Sequence, residues 1–162
     1  MSYKNYITEI PDFPIDGVNF KDLSPLLSNE GVFRSALVDM GKRVRLPDYW
    51  VGVDSRGYIF ASGLATYFGG GVVCARKEGK TPGDKVSVSY DLEYGSATLE
   101  MGKVGMGGGE VVIVDDVLAT GGTIQAAENL CKLHGLEVTD KLCLLDIGIY
   151  DGYDVKSLIQ YG

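Results

Sequence analysis

Val111-Val112-Ile113-Val114-Asp115-Asp116-Val117-Leu118-Ala119-Thr120-Gly121-Gly122-Thr123 is the stretch from which the fold can be read. Val111 to Val114 are all β-branched and apolar, with no alternation. That pattern predicts a strand covered on both faces, at the centre of a parallel sheet. Asp115 and Asp116 follow, then a short loop holding Gly121 and Gly122, then the start of a helix. The Ala119–Thr123 loop can turn several backbone N–H groups toward one point, and the helix behind it adds the positive end of its dipole. The hydroxyls of Thr120 and Thr123 can donate to the same anion. The order of these parts predicts a phosphate cradle. It is neither a GxxxxGK[ST] loop nor a GxGxxG fingerprint, which sets aside the common nucleoside triphosphate and dinucleotide motifs.

Outward from that stretch, Tyr49–Val53 reads as a buried strand ending at Asp54. Tyr58–Phe68 reads as a helix with Ile59, Phe60, Ala61, Leu64 and Ala65 on its apolar face. Gly71–Ala75 and Lys141–Ile147 read as further buried strands. Thr123–Leu133 reads as a helix with Ile124, Ala127, Leu130 and Cys131 at helical spacing. The order β-α-β … β-α-β predicts an α/β fold, a mostly parallel central sheet flanked by helices, in a single domain over residues 1–162.

Two segments depart from that scheme. Pro11–Leu27 mixes Pro, Asp and Gly with large apolar residues and reads as an irregular cap, a small N-terminal hood over residues 1–28 or so. Between residues 84 and 101, Val86, Val88, Tyr90, Leu92 and Tyr94 alternate with Ser87, Ser89, Asp91 and Glu93 around a Gly95-Ser96 turn. Period-2 alternation about a turn predicts an antiparallel ribbon, placed to act as a lid loop.

The chain of 162 residues is 45% apolar and 23% charged, the proportions of a single soluble domain. Its net charge of −7 disfavours nucleic acid and an anionic membrane surface, because both are bound by Lys and Arg. No apolar run approaches the length of a membrane span, and Met1-Ser2-Tyr3-Lys4-Asn5-Tyr6 lacks the apolar stretch of a signal peptide, so a cytoplasmic location is expected. Cys74, Cys131 and Cys143 have no metal-ligand spacing and read as buried reduced thiols. A single histidine, His134, argues against a His-based triad or zinc site; with Gly135 it reads as a helix end. Gly105–Gly109 reads as a turn before the central strand, and Trp50 as core.

Ligands of open α/β sheets sit beyond the carboxyl ends of the strands, and the candidate residues gather there. Adjacent carboxylates beside a phosphate repel it unless they serve sugar hydroxyls or a divalent cation. On an extended backbone Asp115 and Asp116 point to opposite sides and should have different tasks. The alternative is an acidic pair that caps a helix. Asp54-Ser55-Arg56-Gly57 follows another strand; Arg56 offers a planar fork for phosphate, and Gly57 permits close backbone approach. Arg76-Lys77-Glu78-Gly79-Lys80 sets three cations at a third strand end of an acidic chain.

The Val111–Thr123 run resembles the phosphoribosyl-pyrophosphate (PRPP) motif of type I phosphoribosyltransferases. Within that family the whole chain is similar to the branch acting on adenine. Pro11-Asp12-Phe13-Pro14 and Gly17–Leu27 resemble its cap, Asp54–Phe60 its pyrophosphate loop, and Arg76–Gly83 its basic loop. Ser89–Gly95 resembles its mobile catalytic loop, and Leu158–Tyr161 its C-terminus. The resemblance implies attack of adenine N9 on PRPP, giving AMP and pyrophosphate, with Mg²⁺ held mainly through substrate and Asp115 and Asp116 nearby. It implies Glu93 as acid/base near the purine N7, with Arg56 and Tyr94 also catalytic. Asp115, Asp116 and Ala119, Thr120, Gly121, Gly122 and Thr123 would hold ribose 5-phosphate. Ser55, Arg56, Gly57, Arg76, Lys77 and Lys80 would hold pyrophosphate, with Arg76 and Lys77 also at the interface of a homodimer. The purine would lie among Asn19, Phe20, Lys21 and Ile147.

The chain departs from the family pattern at Asn19 and Lys21, where an aliphatic residue and an Arg are usual. It is also shorter before Phe13 and between Tyr150 and Leu158. Two other readings stay open: the same transfer to hypoxanthine, guanine or xanthine, and a non-catalytic PRPP- or nucleotide-binding regulator.

Overall fold

The chain opens with a 3-10 turn at Tyr3–Tyr6 and then builds the hood. Strand β1 (Thr8–Ile10) pairs antiparallel with β2 (Phe20–Asp22), Glu9 lying opposite Lys21. The expected irregular cap thus contains a small sheet. Its two strands are far apart in sequence and too short for an alternation to register. The connection between them carries a cis Phe13–Pro14 bond and folds back through Phe13 N–H to the Val18 carbonyl. The short helix α1 (Ser24–Leu27) follows, then α2 (Glu30–Gly41), which was not read in the sequence. The Asn29 side chain caps α2 by accepting from Val32 N at 3.1 Å. Val32, Ala36, Leu37 and Met40 form its buried face.

The main body is β3 (Tyr49–Val53), α3 (Gly57–Phe68), β4 (Gly71–Lys77), β5 (Lys85–Asp91), β6 (Ser96–Gly102), β7 (Gly109–Leu118), α4 (Gly122–Leu133), β8 (Leu136–Asp146) and β9 (Lys156–Gln160). These strands form one seven-stranded sheet in the order β5-β6-β4-β3-β7-β8-β9. Pairing is parallel from β4 through β9 and antiparallel where β6 joins β4 and β5 joins β6. The computed structural model describes residues 2–92, 95–103 and 108–162. Most of the expected 105–109 turn lies outside them.

β7 is central, and Val111, Val112, Ile113 and Val114 are fully buried. Val112 and Val114 pack with Trp50 against α2 and α3; Val111 and Ile113 pack with Val51 against α4 and the base of the ribbon. Each such side chain contributes roughly 1.5–3 kcal/mol on burial, which is why a run without alternation is stable only here. Gly52 lets α3 lie close on β3, since a Cβ there would come within 3.0 Å of the Ala61 Cβ. Trp50 is core as read, its indole N–H donating to the Gly69 carbonyl at 2.9 Å.

Three strands differ from expectation in their bounds. β7 continues through both acids to Leu118, because β8 pairs Asp115 with Cys143 and Leu118 with Asp146. β8 starts at Leu136, ahead of the expected Lys141, and stops just short of Ile147. β4 runs on to Lys77 because β6 pairs with Arg76 and Lys77. The ribbon alternates as read, with Val86, Val88 and Tyr90 turned inward. Its base, however, is a regular edge of the main sheet. Among the described residues, no helix is long and apolar enough to cross a membrane.

Candidate active site

The carboxyl ends of β3, β4, β7 and β8 face one side of the sheet, and the hood and ribbon flank it. Beyond β3 comes a cis Asp54–Ser55 bond, then Arg56 as the cap of α3. Gly57 opens that helix against β7: a Cβ there would lie 2.8 Å from the Val114 carbonyl oxygen and 3.2 Å from Asp115 Oδ1. This glycine brings the Arg56 loop beside the two acids.

Asp115 and Asp116 meet different partners, but their carboxyl groups stay close enough to interact and do not part across the strand as alternation predicts. Asp116 is 5% exposed, and its Oδ2 accepts from Arg56 Nε. That bond raises the guanidinium pKa against the opposing effect of burial. Asp115 instead lines a cavity of about 70 Å³ formed with the 119–124 loop and Cys143. Burial, then the neighbouring Asp116 charge, push the Asp115 pKa well above the usual carboxylate value.

The loop after β7 has the geometry of an anion cradle. Gly121 takes φ 92°, a conformation that L side chains rarely adopt, and so delivers Gly122 and Thr123 as the first residues of α4. A Cβ on Gly121 would also meet the Tyr150 ring at 2.5 Å. Thr123 Oγ1 donates to the Tyr90 hydroxyl of β5 at 3.4 Å, tying the base of the ribbon to the cradle. Tyr90 was not singled out in the sequence; its signal was its place on the inward face of the alternation.

The basic loop is shaped by two carboxylates that sequence reasoning also missed. Asp54 Oδ2 accepts from Lys77 N at 3.1 Å and pairs with Lys80 Nζ at 3.4 Å. Burial pushes its pKa up, but these bonds and the two lysine charges hold it below the ordinary value. Glu100, 2% exposed, takes three N–H bonds on Oε1, from Gly79, Lys80 and Thr81, at 3.0, 3.2 and 3.2 Å. The only signal was a lone acid between Leu99 and Met101. Arg76 donates to the Lys80 carbonyl at 3.4 Å, which closes the loop on itself, while Lys77 and Lys80 are the residues tied to Asp54 ahead of the Ser55–Gly57 turn.

In the hood, Phe20 turns toward the site, its ring centroid 5.8 Å from the Arg56 guanidinium and 5.2 Å from the Phe13 ring. The side chains of Asn19 and Lys21 leave on the other side of the strand. Both reach Glu9, and the Lys21 ammonium also lies 4.1 Å from the Tyr161 ring centroid. Strand alternation thus separates Phe20 from its neighbours. Ile147 is half-buried just past β8, its N–H donating to the Leu118 carbonyl at 3.1 Å. Glu93 and Tyr94, expected as lid residues, lie outside the described residues. Among the described residues, no group of three or more His, Cys, Asp and Glu gathers as a metal cage.

Residues 42–150 match the model of the phosphoribosyl transferase domain. The chain is 44% identical to the adenine phosphoribosyltransferase of Carboxydothermus hydrogenoformans, over 99% of this chain and 100% of the relative. The crystal structure of adenine phosphoribosyltransferase from Thermoanaerobacter pseudethanolicus superposes with a TM-score of 0.92 at 39% identity, covering 98% of both chains. That of the Giardia lamblia enzyme complexed with 9-deazaadenine gives 0.90 at 33%, covering 100% of this chain and 99% of the other.

Proposed function

We infer the activity from one premise: the chain belongs to the phosphoribosyl transferase family, on the branch of the adenine phosphoribosyltransferases. It transfers the 5-phosphoribosyl group of PRPP to N9 of adenine and releases AMP and pyrophosphate, a purine-salvage reaction. The observation that carries this reading is a juxtaposition at the end of β7. A glycine-turned helix start lies next to two acids, one of which already holds the arginine of the neighbouring loop.

We assign the parts as follows. The Ala119–Thr123 loop seats the 5′-phosphate through backbone N–H groups, the Thr hydroxyls and the α4 dipole. Asp115 and Asp116 accept from the ribose hydroxyls. As the anomeric bond breaks, negative charge grows on pyrophosphate and positive charge on the ribose. Arg56 and Lys80 meet the first, with Ser55, Gly57, Arg76 and Lys77 around them; the carboxylates meet the second. Arg56 can serve both sides, because Nε is given to Asp116 and the two Nη groups remain for phosphate oxygens.

The residues fit a magnesium ion held mostly by substrate, since Asp115 and Asp116 are hard oxygen donors without further protein ligands beside them among the described residues. Bound Mg²⁺ supplies charge that stabilises the departing pyrophosphate. We place adenine between the Phe20 ring and Ile147, with its polar edge against the outer edge of β2. Because Asn19 and Lys21 send their side chains to Glu9, their backbone atoms are the ones that address the base. This supports adenine as the base despite the departures at those two positions. Glu93 handles the proton near N7 as N9 becomes the nucleophile, and Tyr94 closes the lid with it.

The test is pyrophosphate release from PRPP with adenine, hypoxanthine, guanine and xanthine, with and without Mg²⁺. Release with adenine and Mg²⁺ is expected, and the other bases should be poor. Preference for an oxopurine would overturn the base assignment; PRPP binding without turnover of any purine would overturn the enzyme reading.

A homodimer is part of the same reading. Phe33, Leu37, Ile59 and Tyr67 form an apolar groove between α2 and α3, with Ile59 and Tyr67 40% and 58% exposed. We seat a second copy of the chain there. Light scattering should give twice the chain mass, and Ile59→Asp should give a monomer. We place the protein in the cytoplasm, where its substrates would be; Cys131 and Cys143 are buried thiols as expected, whereas Cys74 is only half-buried.

A further inference from the structure

Behind the phosphate loop lies a polar chain that the proposed chemistry does not use. The Tyr150 ring is packed between two glycines: a Cβ on Gly121 would stand 2.5 Å from its Cε1, and a Cβ on Gly152 would stand 2.5 Å from its Cζ and its hydroxyl. The ring fills the space at one flank of Gly121, the residue whose left-handed turn delivers α4. Its hydroxyl donates to Asp154 Oδ1. Asp154 Oδ2 pairs with Lys141 Nζ, and Lys141, 8% exposed, also donates to Glu128 Oε1 at 3.3 Å. Glu128 belongs to α4 itself. The chain of contacts therefore leaves from Gly121, the residue that caps α4, and returns to the same helix about two turns later at Glu128. It passes through the loop before β9 and the middle of β8.

The Lys141 ammonium is held between the two carboxylates, Asp154 on one side and Glu128 on the other. A tyrosine whose ring and hydroxyl are both fixed has little freedom to leave Gly121. Anion cradles work by preorganisation: the N–H groups must converge before the anion arrives, and a displacement of about 1 Å costs affinity heavily.

The geometry points to Tyr150 as a positioning residue for the 5′-phosphate cradle, locked in place by Asp154, Lys141 and Glu128. This rests on the reading of the Ala119–Thr123 loop as the seat of that phosphate. Tyr150 does not touch the reacting atoms. It holds the Gly121 turn closed so that the first N–H groups of α4 converge.

Calorimetry with two probes, ribose 5-phosphate and pyrophosphate, tests this on the full chain. Tyr150→Ala and Lys141→Met should each weaken ribose 5-phosphate by about tenfold and leave pyrophosphate within about twofold. Lys141→Arg, which keeps the charge, should restore ribose 5-phosphate to within about twofold of the parent. In turnover assays KM for PRPP should rise while KM for adenine stays level. Equal weakening of both probes would mean general loosening of the fold and would overturn the proposal. So would unchanged ribose 5-phosphate binding in both variants. If Tyr150→Ala does not fold, Lys141→Met and Asp154→Asn carry the same test, the latter at a side chain 53% exposed. Failure of the parent protein to bind ribose 5-phosphate at all would remove the reading of the cradle together with this one.

Discussion

Arg56 gives its Nε–H to Asp116 Oδ2 across 60 positions of sequence, and in doing so ties the loop after β3 to the strand that carries the acids. The guanidinium can keep that bond and still present its Nη groups to an anion; the three N–H bonds of an ammonium radiate from one nitrogen and do not reproduce that planar, spread fork. Arg56→Lys should therefore lower kcat/KM for PRPP by about a hundredfold, roughly 2.7 kcal/mol of transition-state stabilisation. Asp116→Asn should fall by a similar factor, because it loses the charge that faces the ribose. Steady-state kinetics decide it; a Lys variant with parental kcat/KM would place pyrophosphate elsewhere.

Asp115 leads to a prediction about stability. Its pKa is raised in the folded protein, by burial first and by the Asp116 charge second. An unfolded carboxyl titrates near 3.9, so above that pH the native state binds more protons than the unfolded state until its own pKa is passed. Stability of the ligand-free protein therefore falls as pH rises above the unfolded value, and goes on falling until the raised pKa of the folded carboxyl is passed. Asp115→Asn removes the titration and can keep the bond that Oδ1 accepts from Asp116 N at 2.8 Å. It should raise the Tm of the ligand-free protein at pH 7 by a few degrees while reducing turnover. A lower Tm across the whole pH range would show that the carboxylate stabilises the empty fold.

What the sequence made legible divides along local and distant causes. Val111–Val114 could be read because a run apolar on both faces has few other solutions. The Gly121-Gly122 turn could be read because loop, acids and helix stand in one order. The extension of β7 through Asp115 and Asp116 could not, since acids are poor strand formers and the ladder is supplied by β8. The Glu100 clasp joins residues about 20 positions apart, and no local pattern marks a carboxylate that will meet three backbone N–H groups. Asn19 and Lys21 were legible as hood residues beside Phe20. The direction of their side chains depends on Glu9, a partner visible only once β1 and β2 pair.

Gly121 is constrained twice, by its φ of 92° and by the Tyr150 ring. An L side chain in the left-handed region costs about 1–2 kcal/mol before any clash is counted. Gly121→Ala should lose at least that in denaturant unfolding, and its KM for PRPP should rise more than its KM for adenine. Gly135 makes the comparison: its φ is 72° and no atom lies within 4 Å of a Cβ there, so Gly135→Ala should cost stability alone. Equal kinetic effects from the two substitutions would mean that the Gly121 turn has no special part in binding the phosphate.

Salt should separate the two substrates. The chain carries −7 overall, yet the cations offered to pyrophosphate are local, with Arg56 and Lys80 side chains 53% and 58% exposed. These two influences oppose each other for a polyanion such as PRPP. The screening length is about 10 Å at 0.1 M, so repulsion from the distant acidic surface is already damped at ordinary ionic strength. What remains to be screened is attraction at the half-exposed cations. Raising NaCl from about 0.1 M to about 0.5 M should increase KM for PRPP several-fold and leave KM for uncharged adenine level. A flat or falling PRPP response would mean that the basic loop does not meet the pyrophosphate, and would move the leaving group away from Lys80 and Arg76.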